Sequence, residues 1–228
     1  MRKWIYILLL GLLIQVPLGD ASAQTYTMQI DTWFGRTRSI WYAPEGNLNV
    51  VCGRLSGTLD GDPIYDLFCV DVEHRFGWND QWQTTRQTVP PDPESPPPFH
   101  TREAVLIYHQ FRPQWEVDQD WAAATQLALW EVTHEADEAW AYNADWFSSG
   151  DFRESSGGIV RSRADQILST VSGLGGAPEM SCYYYEPVEG GPGQGFIGDV
   201  PEPGTLLLLG SGLMISAGFI LRRRKKNA

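Results

Sequence analysis

Between Lys3 and Lys225 the chain has no lysine, so its body carries no ε-amine that could attack an electrophile of its own. The ten basic residues from 24 to 203 are all arginines, which genome base composition alone is enough to explain. Basic residues are also few: the same span holds 27 acidic ones, a net charge of −17. Such a surface repels phosphates, which excludes nucleic acid and anionic lipid headgroups as partners. Cysteine is scarce too, with only Cys52, Cys69 and Cys182. No two cysteines or histidines stand at ligand spacing, so no metal site is expected, and no cofactor is implied. Of the four histidines, His100, His109 and His134 cannot be placed beside a cysteine from sequence, which makes a Cys–His hydrolase the weakest reading. No internal repeat is present.

The two ends carry targeting information. Arg2 and Lys3 precede a mostly apolar run from Trp4 to Val16, and Ala21-Ser22-Ala23 is a small-x-small site. That pattern predicts a cleaved secretory signal over 1–23, with the mature chain starting near Gln24. At the other end Pro201-Glu202-Pro203 precedes an uncharged run of 18 residues, 204–221, and then Arg222-Arg223-Arg224-Lys225-Lys226. The run is long enough to span a bilayer, and the basic cluster should stay cytoplasmic. This tail, 200–228, resembles the PEP-CTERM sorting tail of Gram-negative bacteria. The resemblance implies that an exosortase cuts near Pro201-Glu202-Pro203 and leaves the protein in the envelope or extracellular polysaccharide matrix. A simple tail anchor predicts the same membrane without processing.

The remaining 180 or so residues suit one domain with a real core. Strand character appears over Tyr26–Ile30, Asn47–Val51, Asp66–Val72 and Cys182–Val188, with a turn-rich stretch from Gly57 to Pro63. Val89 to Phe99, dominated by proline, reads as an extended loop. Helices are predicted from Thr101 to about Phe111, from Trp121 to about Ala136 with Asp118 or Asp120 as cap, and near Gly158 to Ser172. The second is apolar almost all round, which marks a buried helix. Residues 190–199 read as a Gly-rich linker to the tail. The fold class is therefore α+β, helices lying between early and late strands.

Cys69 lies in Leu67-Phe68-Cys69-Val70-Asp71 and Gln126 in Thr125-Gln126-Leu127-Ala128-Leu129-Trp130. Each puts one reactive or polar group among apolar neighbours, and a buried glutamine amide needs partners or carries about 1–3 kcal/mol of desolvation. An aromatic-Cys-hydrophobic-Asp strand followed by Thr-Gln-x-Ala-hydrophobic-Trp on a helix resembles the thioester domains of bacterial surface adhesins. The resemblance implies a β-sandwich or barrel-like subdomain with an inserted helical subdomain over 24–189, and an internal thioester between the Cys69 sulfur and the Gln126 acyl carbon. It would leave Cys52 and Cys182 to pair as a disulfide in an oxidising compartment. Asp71 and His74 follow Cys69 closely, but strand alternation would put His74 on the opposite face from Cys69. Trp78 and Trp82, beside Asn79, Asp80 and Gln81, are candidates for exposed sugar-stacking rings. Two readings follow. One is an exported protein that attaches once, without turnover, to a polysaccharide or protein surface nucleophile through the Cys69–Gln126 thioester. The other is a non-catalytic structural or sugar-binding matrix protein.

Overall fold

The computed structural model describes residues 24–43, 45–72, 74, 76–89, 101–134, 146–148, 150–174, 180–188 and 193–199. The expected signal peptide, most of the proline-rich stretch and the expected membrane helix over 204–221 lie outside the described residues.

The early sequence is rich in β-branched and aromatic residues, and it forms two long strands. β1 (Thr25–Tyr42) and β2 (Gly46–Leu59) pair antiparallel along almost their whole length, from Met28 opposite Leu59 to Tyr42 opposite Gly46. Asp60-Gly61, both at positive φ, makes the two-residue turn into β3 (Asp62–Cys69). The turn-rich stretch thus narrows to two residues, because Gly57-Thr58-Leu59 remains in the ladder. A bulge at Asp31 interrupts the register of β1 between Ile30 and Thr32. Before the bulge β1 also pairs with β4 (Gln81–Val89); far beyond it, β1 pairs with the short β5 (Phe152–Glu154).

β6 (Cys182–Pro187) and β7 (Phe196–Asp199) complete the sheet. The order β2-β3-β7-β6-β4-β1, with β1 returning to β2, closes a six-stranded antiparallel barrel. Closure gives each of these six strands a neighbour on both sides over part of its length. The expected Gly-rich linker is here corrected: residues 193–198 are buried, and β7 is the strand that joins β3 to β6. Its glycines serve close packing rather than slack. A Cβ on Gly193 would stand 2.2 Å from Trp82 Cδ1, and one on Gly198 would stand 2.6 Å from Leu67 Cδ2. The domain therefore runs to Asp199.

Between β4 and β6 the chain makes α1 (Thr101–Gln110), α2 (Arg112–Trp115), α3 (Gln119–His134) and α4 (Gly158–Ser172), with β5 before α4. Every residue of α3 from Ala122 to Thr133 is buried, as its all-round apolar pattern requires. It packs on β1, β2 and β3 on one side and on the other helices elsewhere. Asp118 caps it, accepting from the backbone N–H of Asp120 at 2.8 Å and of Trp121 at 3.3 Å.

Candidate functional site

The β2–β3 ladder ends with Leu55 opposite Leu67. Two residues on, the backbone of Cys69 points to the same side and has no strand to meet. Gln126, from the middle of α3, takes that place. Its Oε1 accepts from the Cys69 N–H at 3.1 Å and its Nε2 donates to the Cys69 carbonyl at 2.5 Å. The amide imitates a strand neighbour, and its desolvation is offset because both of its ends are bonded. Gln126 is 1% exposed and Cys69 3%. Phe68 anchors this strand end, its ring edge-on to Trp115 at 5.2 Å and to Tyr108 at 6.1 Å.

The Cys69 sulfur has contacts of its own. It donates to the Asp71 carbonyl at 2.7 Å and lies 3.2 Å from Gln194 Oε1. Trp130, one helical turn after Gln126, stands beside the sulfur as well, its buried indole N–H facing the thiol as a weak donor. Burial first, and the nearby Asp71 carboxylate second, push the Cys69 thiol well above the usual range, so the sulfur keeps its proton at neutral pH. Cys69, Trp130 and Gln194 line a cavity of ≈ 400 Å³, whose wall also includes Asn47, Asn49, Val72, Phe76 and Trp78.

The loop after β3 shapes the cavity mouth. Gly77 N–H donates to Asp80 Oδ2 at 2.9 Å, Asp80 N–H to the Gly77 carbonyl at 3.1 Å, and Asn79 N–H to the Ile30 carbonyl at 3.1 Å. This closed turn fixes Trp78, which is 44% exposed and packs edge-on to Phe76 at 5.6 Å. Phe76 continues inward to Trp82 and Phe196, at 5.8 and 5.9 Å.

β7 ends at Asp199, whose carboxylate is held by Arg112 of α2; the same guanidinium reaches Glu116 and Asp66. At that residue the chain changes character. Residues 199–225 match the PEP-CTERM protein-sorting motif. Motifs of this kind are recognised by exosortase, and they mark an exported protein held at the membrane by its C-terminus until cleavage. Comparison with curated proteins and with solved structures returned no match. The PEP-CTERM tail thus begins on the last residue of the barrel, and Pro201, Glu202 and Pro203 follow it at once. Among the described residues no helix is long and apolar enough to cross a membrane.

The remaining expected site residues divide. Cys52 and Cys182 do not form the disulfide: all three cysteines are free and buried. Cys52 sits mid-β2 opposite Arg36, whereas Cys182 opens β6 opposite Val89 and Asp199, with its sulfur 3.3 Å from His109 Nε2. The odd cysteine count therefore does not single out Cys69; its surroundings do. β3 ends at Cys69, so strand alternation does not govern His74, which is exposed and pairs through Nδ1 with Asp71 Oδ2 at 2.6 Å. His134 Nε2 accepts from the Val72 N–H at 3.2 Å, and His109 is engaged with Ser181 and Cys182. Trp78 is exposed as expected, but Trp82 is a core ring, 3% exposed and stacked on Phe196 at 6.0 Å. Gln194 is the residue sequence reasoning missed. The signal was present in Gln194-Gly195-Phe196-Ile197, a polar residue opening an apolar pair, but the surrounding glycines masked it.

Proposed function

We propose that the exported domain attaches itself covalently to a surface nucleophile through a thioester between the Cys69 sulfur and the side-chain carbonyl of Gln126, reacting once rather than turning over. The observation that carries this reading is the docking of the Gln126 amide on the Cys69 backbone, two residues 57 apart in sequence. The Cys69 N–H donates to the oxygen on which negative charge would develop as sulfur attacks the amide carbon, the role of an oxyanion-hole donor. In forming the bond, sulfur joins the carbonyl carbon, the carbon–nitrogen bond breaks, and the thiol proton leaves with the amide nitrogen as ammonia. Such an attack is slow in water, but fixed geometry supplies effective molarities of about 10⁵ M or more. Gln126, 1% exposed and outside the cavity wall, offers little surface to water that would hydrolyse the product. A domain without lysine holds no ε-amine of its own to consume the acyl group. A hydrolase reading has less support, because each of the three described histidines is engaged with groups other than Cys69.

The test is the intact mass of the mature protein prepared without amines. It should be lighter than its sequence by one ammonia. Methylamine should restore mass at Gln126 and expose a free thiol at Cys69, and Cys69→Ala should show neither effect. An unmodified mass with Cys69 open to alkylation in the unfolded protein overturns the proposal.

A further inference from the structure

We infer that the cavity beside Cys69 binds a neutral sugar ring and presents one of its hydroxyls to the acyl group; the transfer step rests on the thioester reading, the binding step does not. The cavity's ≈ 400 Å³ falls within the range of small-molecule pockets, about 300–1,000 Å³. Its wall combines the rings of Phe76, Trp78 and Trp130 with the side-chain amides of Asn47, Asn49 and Gln194. A pyranose has an apolar C–H face that lies on aromatic rings and a rim of hydroxyls that both donate and accept, as side-chain amides do. Asn49 is already fixed, its Oδ1 accepting from Ser39 Oγ at 2.6 Å. Trp78 is held by the closed turn from Gly77 to Asp80, so the ring that would stack is pre-organised.

The buried indole N–H of Trp130 is the second observation, since it faces only the weakly accepting Cys69 sulfur, and a ligand oxygen is a stronger acceptor than a thiol. The rival acceptor is a lysine ammonium. Among the described residues the cavity wall carries no charged side chain. Bringing an unpaired ammonium inside costs several kcal/mol, which the ~0.5–2 kcal/mol of a cation–π contact does not offset. The net charge of −17 over residues 24–203 disfavours uronic-acid polymers, which leaves a neutral glycan. In the transfer, the sugar oxygen bonds to the Gln126 carbonyl carbon, the carbon–sulfur bond breaks, and the hydroxyl proton passes to the Cys69 sulfur. The product is an ester with the thiol restored.

The experiment has two arms on the mature protein. In the first, Cys69→Ala protein, which cannot form the thioester, is titrated with cellobiose, maltose and lactose while tryptophan fluorescence is followed. Saturable binding is expected, weakened about tenfold by adding Trp78→Ala and unchanged by adding Trp121→Ala, whose ring stacks on Phe111 and is not part of the cavity wall. In the second, the wild type is incubated with the bound disaccharide or with N-acetyl-lysine amide, and its mass is read. A disaccharide ester at Gln126, forming faster than the lysine adduct, is expected. Absence of saturable binding to all three sugars, or a lysine adduct forming faster than any ester, overturns the inference. Ammonia loss in the starting protein separates these outcomes from failure of the thioester itself.

Discussion

If the proposed Cys69–Gln126 bond is present, opening it with methylamine should lower the thermal stability of the domain by an amount set by loop closure. The bond would cross-link residues 57 apart. Closing a loop of that length in the unfolded chain is worth about 4 kcal/mol by the chain-entropy relation used for disulfides. For a domain of this size each kcal/mol moves the midpoint by about 2–4 °C, so the amine-treated protein should melt about 8–16 °C lower. The folded state changes little in comparison, because the methylated amide can still accept from the Cys69 N–H. Circular dichroism melts of untreated and treated protein, with mass spectrometry on the same samples, give the comparison. Cys69→Ala protein, which has no bond to open, should melt at the same temperature with and without methylamine. A midpoint shifted by less than about 2 °C in protein whose mass shows complete amine uptake would refute the cross-link reasoning.

In a Cys69→Ala background, Gln126→Ala should cost a further 2–5 kcal/mol or so in urea unfolding, because it strands a buried N–H and a buried carbonyl at residue 69. Gly193→Ala should destabilise the barrel by about 1–3 kcal/mol in the same assay, since its Cβ would collide with the Trp82 ring and that ring has no room to retreat from Phe196. Gly77→Ala, whose Cβ would stand 2.4 Å from Asp80 Oδ2, should release the Trp78 turn and weaken disaccharide binding while leaving ammonia loss intact by mass. Burial pushes the Asp118 carboxyl up, but hydrogen bonds from Arg163 and from the N–H groups of Asp120 and Trp121 outweigh it and hold the group below its ordinary value. Its contribution is therefore full above about pH 4 and lost as pH falls through the lowered value, so the stability gap to Asp118→Asn should shrink on acidification in unfolding titrations from pH 6 to 3.

The helices were legible because their apolar spacing is local: α1, α3 and α4 lie within a few residues of their expected bounds. The strands were harder to read. β4 is Gln-Trp-Gln-Thr-Thr-Arg-Gln-Thr-Val, a polar sequence whose buried positions Trp82 and Thr84 follow a period of two that hydrophobicity alone does not flag. For the same reason Trp82, flanked by polar residues, looked exposed. β7 was hidden by glycines whose meaning depends on Trp82 and Leu67 arriving from distant strands. Cys69 and Gln126 stood out in sequence as lone polar groups in apolar segments, and the structure joins the Gln126 amide to the Cys69 backbone, whereas Gln194 and the cavity required the closed barrel. The Cys52–Cys182 pairing failed because counting cysteines carries no information about which strands face each other.

Arg112 fastens the end of β7 at Asp199, and only residues 200–203 separate that clamp from the apolar run expected to cross the membrane. Four residues reach at most about 14 Å. While uncut, the barrel would therefore stay close to the bilayer surface, and its cavity would sample only what diffuses through a thin layer there. Proteolysis at the tail would then do more than liberate the protein. It would enlarge the volume that the cavity can search, so that, under the attachment we propose, the moment of cleavage would decide whether the bond is made to the cell's own surface or to material beyond it.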